Sequence, residues 1–203
     1  MPVSTYKTIL NPSEEVLYKD KGSKFYGYAF PLNTIEEYKE IIEKLKQKHS
    51  SAGHFCFAYQ HGIEMPYYRA SDDGEPSNSA GMPIYGQLQA FELTNVLVVV
   101  VRYFGGTKLG VGGLISAYKT TAKLSLEASA IKQMDILIAF KLSFEYKELS
   151  QVMRIIKKHQ LVLKSQRLEM DCEVVILVKK SVEKSLQTAF EVFHKIKVEI
   201  LND

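Results

Sequence analysis

The sequence predicts a mixed α+β protein divided into two domains, residues 1–131 and 132–203. Five of its twelve glycines fall between Gly105 and Gly113, none follows, and no proline follows Pro83. The last third of the chain therefore lacks the two residues that most often interrupt regular structure. It also carries thirteen basic and ten acidic side chains, which accounts for the whole formal charge of +3 and leaves the first domain balanced.

The elements of the first domain are predicted from apolar runs and one amphipathic stretch. Val96–Tyr103 is almost continuously apolar, as in a strand covered on both faces. Apolar residues at helical spacing indicate a helix over Thr34–His49, with Thr34 and Glu37 as a capping box. The other predicted strands are Thr5–Leu10, Glu15–Lys19, Lys24–Pro31 and His54–Gln60, and the other predicted helices are Pro83–Leu93 and Leu114–Ala130.

The second domain is predicted to follow the order β-α-β-β-α-β of a ferredoxin-like fold. Alternating apolar residues indicate its strands, and apolar residues three and four apart indicate its helices. The predicted strands are Asp135–Tyr146, Leu161–Leu168, Asp171–Lys179 and Lys195–Leu201, and the predicted helices are Lys147–Gln160 and Ser181–His194. Ser181 is the expected N-cap of the second helix.

Composition excludes several classes of protein. The chain has 203 residues, 46% hydrophobic and 24% charged, and its longest unbroken apolar run is Val96–Val101. A membrane-spanning helix needs about 20 such residues, so no membrane partner is expected. Two cysteines provide no disulfide framework and the amino terminus carries no secretory signal, so we expect a cytoplasmic protein. A pI of about 8.6 is too mild to indicate nucleic-acid binding by itself.

The most distinctive segment joins the apolar strand to the next helix and reads Arg-Tyr-Phe-Gly-Gly-Thr-Lys-Leu-Gly-Val-Gly-Gly from Arg102 to Gly113. Glycines let a ligand or another backbone come close, and the free N–H groups at a helix start attract anions. The segment is no Walker loop, because Val111 stands where the lysine belongs, and it lacks the third glycine of the dinucleotide fingerprint. A tight corner that needs glycine for steric reasons alone explains the pattern equally well.

This glycine loop is the candidate site for an anion, above all a nucleic-acid phosphate. Lys108 adds a mobile positive charge, and either Tyr103 or Phe104 could stack on a base while the other belongs to the core. The candidate binding residues are Arg102, Tyr103, Gly105, Gly106, Lys108, Gly110, Gly112 and Gly113.

A second polar segment, Ser71-Asp-Asp-Gly-Glu-Pro, places three carboxylates within four residues. Such carboxylates repel one another unless a cation or a basic group relieves them. A metal site, an acid–base site, a serine nucleophile and a solvated turn are all compatible with the pattern. We expect Ser71, Asp72, Asp73 and Glu75 to support the glycine loop, with basic or backbone N–H partners drawn first from that loop.

His54 and Cys56 alternate along a predicted strand, with Phe55 and Phe57 on its other face. Histidine near cysteine suggests zinc, but the sequence has no second cysteine pair, so no metal is expected. Neighbours on one strand face form a nucleophilic pair with difficulty, so no catalytic residue is expected either. His54 is a further candidate for supporting the polar loop.

Several motifs of the first domain occur together: Ser71–Pro76, Ala80–Ile84, Arg102–Gly113 and Ala117–Tyr118, with Ser23–Phe25 and the Ala52–Ala58 strand as further matches. Together they resemble the IMPACT family, over about residues 20–125. Two positions depart from the family pattern. Asn78-Ser79 stands where the family has Gly-Thr, and Ser116 stands where it has arginine, which weakens the case for a strongly cationic site at the helix start.

The resemblance implies a fold and a broad function. The first domain would share the two-layer α/β fold of domain IV of elongation factor G, with a left-handed βαβ crossover, and the second would resemble an end domain of the same factor. Eukaryotic relatives are translation regulators that act by binding proteins, upstream of an initiation-factor kinase. Both folds recur in proteins that contact RNA, which is a link through fold alone.

Three functions are therefore weighed. The leading hypothesis is a non-enzymatic cytoplasmic binding protein for RNA or the ribosome that regulates translation without a cofactor. The alternative is an enzyme acting on an anionic, phosphorylated small molecule between Ser71–Glu75 and Gly105–Gly113. The third is an adaptor for a translation factor or a kinase. The sequence carries no signal for an oligomeric state.

Overall fold

Three sheets organise the computed structural model, which describes residues 3–193 and 195–201. The chain divides into two compact units, one formed by Tyr6–Met134 and the other by the chain from Asp135 onward together with the first residues. Helices and strands are mixed throughout, which confirms the α+β class. In the described part of the chain, no helix combines the length and apolarity needed to cross a bilayer.

The first unit is built on a five-stranded antiparallel sheet. Along this part of the chain the strands are β1 (Thr5–Ile9), β2 (Val16–Asp20), β3 (Ser23–Pro31), β4 (His54–His61), β5 (Tyr67–Ser71), β6 (Val96–Tyr103) and β7 (Ile131–Asp135), and the helices are α1 (Glu37–Lys48), α2 (Gly81–Ala90) and α3 (Gly110–Glu127). The large sheet has the order β2-β3-β6-β4-β5, while β1 and β7 form a separate two-stranded sheet.

Helices cover both faces of the five-stranded sheet. Val98 and Val100 of β6 belong to the same apolar cluster as α2 and α3, whereas Val99 and Val101 belong to the cluster that contains α1. Strand β6 is therefore buried on both faces, which is why its sequence is a continuous apolar run rather than an alternating one. Helix α1 adds a layer to the two that were expected.

Two strands of the first unit, β5 and β7, were not predicted from the sequence. Strand β5 is an edge strand with largely exposed side chains that pairs only with β4, and β7 lies where the sequence suggested a domain boundary. Neither has the apolar alternation by which strands are recognised. Helix α3 begins at Gly110, four residues before the predicted start at Leu114.

The capping box predicted for α1 is wrong. The helix begins at Glu37, and no side chain caps its first turn. The Glu37 carboxylate instead accepts a hydrogen bond from the backbone N–H of Asn33, at 2.9 Å. Thr34 therefore lies in the approach to the helix and does not serve as its N-cap.

The second unit has the order β-α-β-β-α-β that the sequence predicts. It comprises β8 (Leu137–Glu145), α4 (Leu149–Lys158), β9 (Val162–Arg167), β10 (Asp171–Lys179), α5 (Glu183–Glu191) and β11 (Lys197–Leu201). Its antiparallel sheet has the order β11-β8-β10-β9, and the core includes Phe140, Val174, Ile176 and Phe190. Strand β9 lies at the edge, and all its side chains are exposed.

The predicted N-cap of α5 is also wrong. Residues Lys180–Val182 form a 3-10 turn, α5 begins only at Glu183, and no side chain caps it. His194, where this helix was expected to end, lies outside the described residues.

Close contact between β3 and α3 gives a test of the fold. A Cβ atom on Gly27 would lie 2.3 Å from Oγ of Ser125 and 2.7 Å from Cγ2 of Thr121. Gly27→Ala should therefore lower the free energy of unfolding by about 1–3 kcal/mol, as overpacking does. Urea unfolding of the purified variant measures this effect.

Gly86→Ala is the matched control. Gly86 lies within α2, and a Cβ atom there meets nothing within 4 Å, so alanine should stabilise the protein by up to about 1 kcal/mol. If Gly27→Ala were as stable as the wild type, α3 would not contact β3 as described.

Candidate functional site

The glycine loop connects the end of β6 to the start of α3, and its glycines play different parts. A Cβ atom on Gly105 would lie 1.9 Å from the carbonyl carbon of Gly22, so this position requires glycine for steric reasons. Gly106 and Gly110 have φ angles of +83° and +73°, which favour glycine. Gly112 faces open space, whereas a Cβ atom on Gly113 would lie 3.0 Å from Cβ of Leu109. The loop is therefore a tight corner at Gly105, and it is open to a ligand at Gly106, Gly110 and Gly112.

The start of α3 is open. No side chain among the described residues caps the helix, and Gly110 and Gly112 place no side chain over its first turn. Lys108, just before the helix, is exposed and makes no hydrogen bond or ion pair with any described residue. The first N–H groups of α3 and one free ammonium thus lie within a few residues of each other.

Two neighbouring aromatic residues at the start of the loop have different surroundings. Tyr103 is half-buried, and its ring contacts those of Tyr26 and His49, with the Tyr103 hydroxyl 3.0 Å from Nδ1 of His49. Phe104 is 56% exposed. Tyr103 therefore belongs to the core, and Phe104 is the aromatic side chain available at the surface.

The Arg102 guanidinium is buried beneath the loop. It donates to the Glu75 carboxylate at 2.6 Å, and the two side chains are only 6% and 4% exposed. It also lies 5.5 Å from the ring centroids of both Phe25 and Phe104. Arg102 was expected to contact an anion at the surface. The structure places its charge inside the protein, where Glu75 already balances it.

A polar network extends from this ion pair. The Tyr118 hydroxyl of α3 donates to the same Glu75 oxygen at 2.7 Å, and Ser23 Oγ accepts from Arg102 at 3.4 Å and from the backbone N–H of Gly105 at 3.2 Å. The Arg102 Nε–H lacks a partner among the described residues. The network joins β3, β6, α3 and the polar loop before α2.

The two aspartates of the polar loop bind backbone N–H groups. Asp72 accepts from Asn78 at 2.8 Å, from Ala80 at 2.9 Å and from Gly81 at 2.8 Å, while Asp73 accepts from Phe55 of β4 at 2.6 Å. The carboxylates thus have the kinds of partner that the sequence predicts. For Glu75 the partner is Arg102, at the start of the glycine loop, as expected. For Asp72 and Asp73 the expected source was wrong, since their partners come from the polar loop itself and from β4.

His54 and Cys56 complete this polar region. His54 Nδ1 donates to the Asp73 carbonyl at 2.8 Å, and Cys56 Sγ donates to the Asp72 carbonyl at 2.9 Å. Burial raises the pKa of the Cys56 thiol far above its usual value, so the thiolate is not formed at neutral pH. Within the described ranges, no three His, Cys, Asp or Glu side chains come together as metal ligands would.

Ser71 ends β5 beneath the first turn of α2. A Cβ atom on Gly81 would lie 2.6 Å from the backbone nitrogen of Ser71, so the two backbones are in close contact. Ser71 therefore supports the polar loop through this backbone contact with Gly81.

Sequence reasoning missed the roles of Ser23 and Tyr118. Both were noted only as parts of the family motifs, and their partners lie 79 and 43 positions away in the chain. Their place in those motifs was the available signal. It does not identify a partner, because that partner depends on how the sheet and helix are brought together.

The buried ion pair predicts an unusual response to mutation. Glu75→Ala should lower the free energy of unfolding by about 3–5 kcal/mol, because it leaves the Arg102 charge buried and unpaired. The double variant Glu75→Ala with Arg102→Met should recover much of that loss, since it leaves no buried charge. Urea unfolding monitored by circular dichroism measures both.

Glu43→Ala is the control for this measurement. Glu43 forms an exposed ion pair with Lys46, so its removal should change stability by less than about 1 kcal/mol. A Glu75→Ala protein as stable as Glu43→Ala would contradict the role assigned to the buried pair.

Comparison with known proteins gives the family of this chain. A model of the Impact N-terminal domain family matches residues 21–126. The IMPACT family member YvyE of Bacillus subtilis is 34% identical over 79% of this chain and 73% of its own length. YigZ of Escherichia coli, also an IMPACT family member, is 32% identical over 68% of each chain. A crystal structure of a hypothetical protein shares the fold, with a TM-score of 0.72 at 22% identity over 99% of this chain and 98% of its own. The chain therefore belongs to the IMPACT family.

Proposed function

We propose that this protein is a non-enzymatic RNA-binding protein that acts in the regulation of translation, with the glycine loop as its RNA contact. The observation that carries the proposal is the exposed Phe104 ring at the entrance to an uncapped helix. Within the next nine residues, the loop supplies a free ammonium, several glycines and the N–H groups of the first turn of α3, which have no acceptor within the helix. An aromatic surface for a base and a cationic surface for a phosphate thus lie close together along the chain.

Phe104 is suited to stacking on a base. Its ring is more than half exposed, and the Arg102 guanidinium lies 5.5 Å from its centroid. The buried guanidinium supports the ring through a cation–π contact. A nucleobase has a π-face whatever its identity, so stacking on such a ring binds single strands with little sequence preference.

The first turn of α3 is suited to a phosphate. Its unpaired N–H groups and the positive end of the helix dipole attract an anion, and Lys108 adds a full charge. The Glu75 carboxylate opposes this attraction weakly, because the Arg102 guanidinium paired with it balances its charge.

The regulatory part of the proposal comes from the family. The resemblance to IMPACT proteins implies translation regulators among the eukaryotic relatives, so the ribosome, a translation factor or a kinase is the class of partner to consider. The alternative of an enzyme has less support from the geometry. The Asp72 and Glu75 carboxylates that would serve as acid or base already bind groups within the protein. Burial raises the pKa of the Cys56 thiol, which therefore stays protonated.

RNA binding by the full chain tests the proposal. Fluorescence anisotropy with a labelled 12-nucleotide oligouridylate, measured across a salt series, should show binding that weakens as salt rises. Phe104→Ala should weaken it by about 1–3 kcal/mol at every salt concentration, the usual contribution of one stacked base. Lys108→Glu should weaken it and make the logarithmic salt slope shallower by about 0.7, the contribution of one single-strand phosphate contact.

Lys39→Glu is the matched control. Lys39 is an exposed lysine of α1, on the opposite face of the sheet from α3, and it makes no ion pair with a described residue. The substitution changes the net charge by the same amount and should leave the salt slope unchanged. If folded Lys108→Glu and wild-type proteins bound equally at every salt concentration, the glycine loop would not be the site. The protein would then be assigned to binding a translation factor or a kinase, and not RNA.

A further inference from the structure

A groove of about 490 Å³ lies on the α1 side of the five-stranded sheet, opposite α3. Its floor is the end of β3, where the Tyr28 and Phe30 rings stack with their centroids 6.2 Å apart. Ile41 and Leu45 of α1 form one wall, and Pro12 forms the other. The interior is therefore largely apolar, and its size is in the range of about 300–1,000 Å³ typical of small-molecule sites.

The segment that carries Pro12 is held in place by backbone contacts. Next to it, the Ser13 N–H donates to the Ala29 carbonyl at 2.8 Å, and Ser13 Oγ accepts from the Ala29 N–H at 2.9 Å. Both walls are thus anchored to the sheet. A ligand entering the groove would find its shape largely formed already, which reduces the entropic cost of binding.

Two lysines at the rim of the groove, Lys44 and Lys48, differ in whether an acidic partner neutralises them. Lys48 donates to Glu15 at 2.7 Å, and the Tyr28 hydroxyl donates to the same carboxylate at 2.5 Å. These hydrogen bonds hold the pKa of Glu15 below its usual value, so the carboxylate stays charged and neutralises Lys48. Lys44, one helical turn away, is exposed and has no hydrogen bond or ion pair within the described residues. One ammonium at the rim is therefore free to meet an anion.

The size of the groove favours a small ligand over a protein. A stable protein–protein contact buries about 800 Å² on each partner. Here the apolar lining consists of a few side chains, and the charged Lys44 and Lys48 of α1 lie among them. One free ammonium at the end of an apolar groove matches a ligand with one negative charge and an apolar body.

We propose that this groove binds a small amphipathic carboxylate, with its apolar body between α1 and Pro12 and its carboxylate at Lys44. The carboxylate pairs with the one free ammonium of the rim, while Tyr28, Phe30 and Ile41 contact the apolar body. The groove lies on the face of the sheet opposite α3, and its binding of a carboxylate does not depend on RNA binding at the glycine loop.

Decanoate, used below its micelle concentration, is the probe, and decanol is its uncharged analogue. Isothermal titration calorimetry of the full chain should show decanoate binding about three- to fivefold more tightly than decanol, the contribution of one exposed ion pair. Lys44→Glu should abolish this preference. Lys39→Glu, which makes the same charge change on α1 outside the groove, should preserve it. Ile41→Gln should weaken both ligands at least about threefold, because it removes apolar contact area.

Several results would overturn the proposal. Decanoate adsorbs to many apolar surfaces, so a carboxylate preference that survives Lys44→Glu would remove the groove as its site. Absence of decanoate binding by the folded wild type would also reject it. A leucine–glutamate peptide that binds where decanoate does not would assign the groove to a protein segment. A dimer in light scattering that Lys44→Glu dissociates would assign it to a second copy of the chain.

Discussion

The ion pair between Arg102 and Glu75 is the interaction on which the first unit depends most. It lies in the protein interior, where an unpaired charge is expensive and a paired one is tolerated only with good geometry. Arg102 comes from β6, Glu75 from the loop before α2, and Tyr118 from α3, so the pair brings three distant segments together. Ser23 extends the network to the backbone of Gly105. The shape of the exposed glycine loop therefore rests on a neutralised charge beneath it.

This arrangement divides the residues of the family motifs into two groups. Glu75, Arg102 and Tyr118 satisfy one another in the interior, and Asp72 organises the turn into α2 through backbone N–H groups. Lys108 and Phe104 are left at the surface, where they can meet a ligand. Much of this motif thus positions a short exposed segment, and two of its charged residues, Arg102 and Glu75, lie in the interior.

The sequence predicts those features of the fold that depend on local pattern. The double burial of β6 is visible in its apolar run, and the order of elements in the second unit follows from alternation and helical spacing. Strands β5 and β7 were not predictable in this way, because neither shows apolar alternation and each forms through the neighbour with which it pairs. In the candidate site, too, local pattern predicts the residue on the strand and does not predict the one in the loop. Tyr103 continues the alternation of Val99 and Val101 towards α1, whereas Phe104 lies beyond the strand and its exposure depends on the loop.

The exposed edge strand β9 has a consequence for how the protein behaves at high concentration. An edge strand has unpaired N–H and C=O groups that can pair with another extended chain. The exposed apolar side chains of Val162 and Leu163 favour such pairing. Lys164 and Arg167 lie on the same short strand, and the register shift beside Val175 interrupts its regularity. Charge and irregularity of this kind discourage strand-to-strand association between molecules. The basic residues of this strand thus have a sufficient explanation in keeping one copy of the sheet from extending into the next.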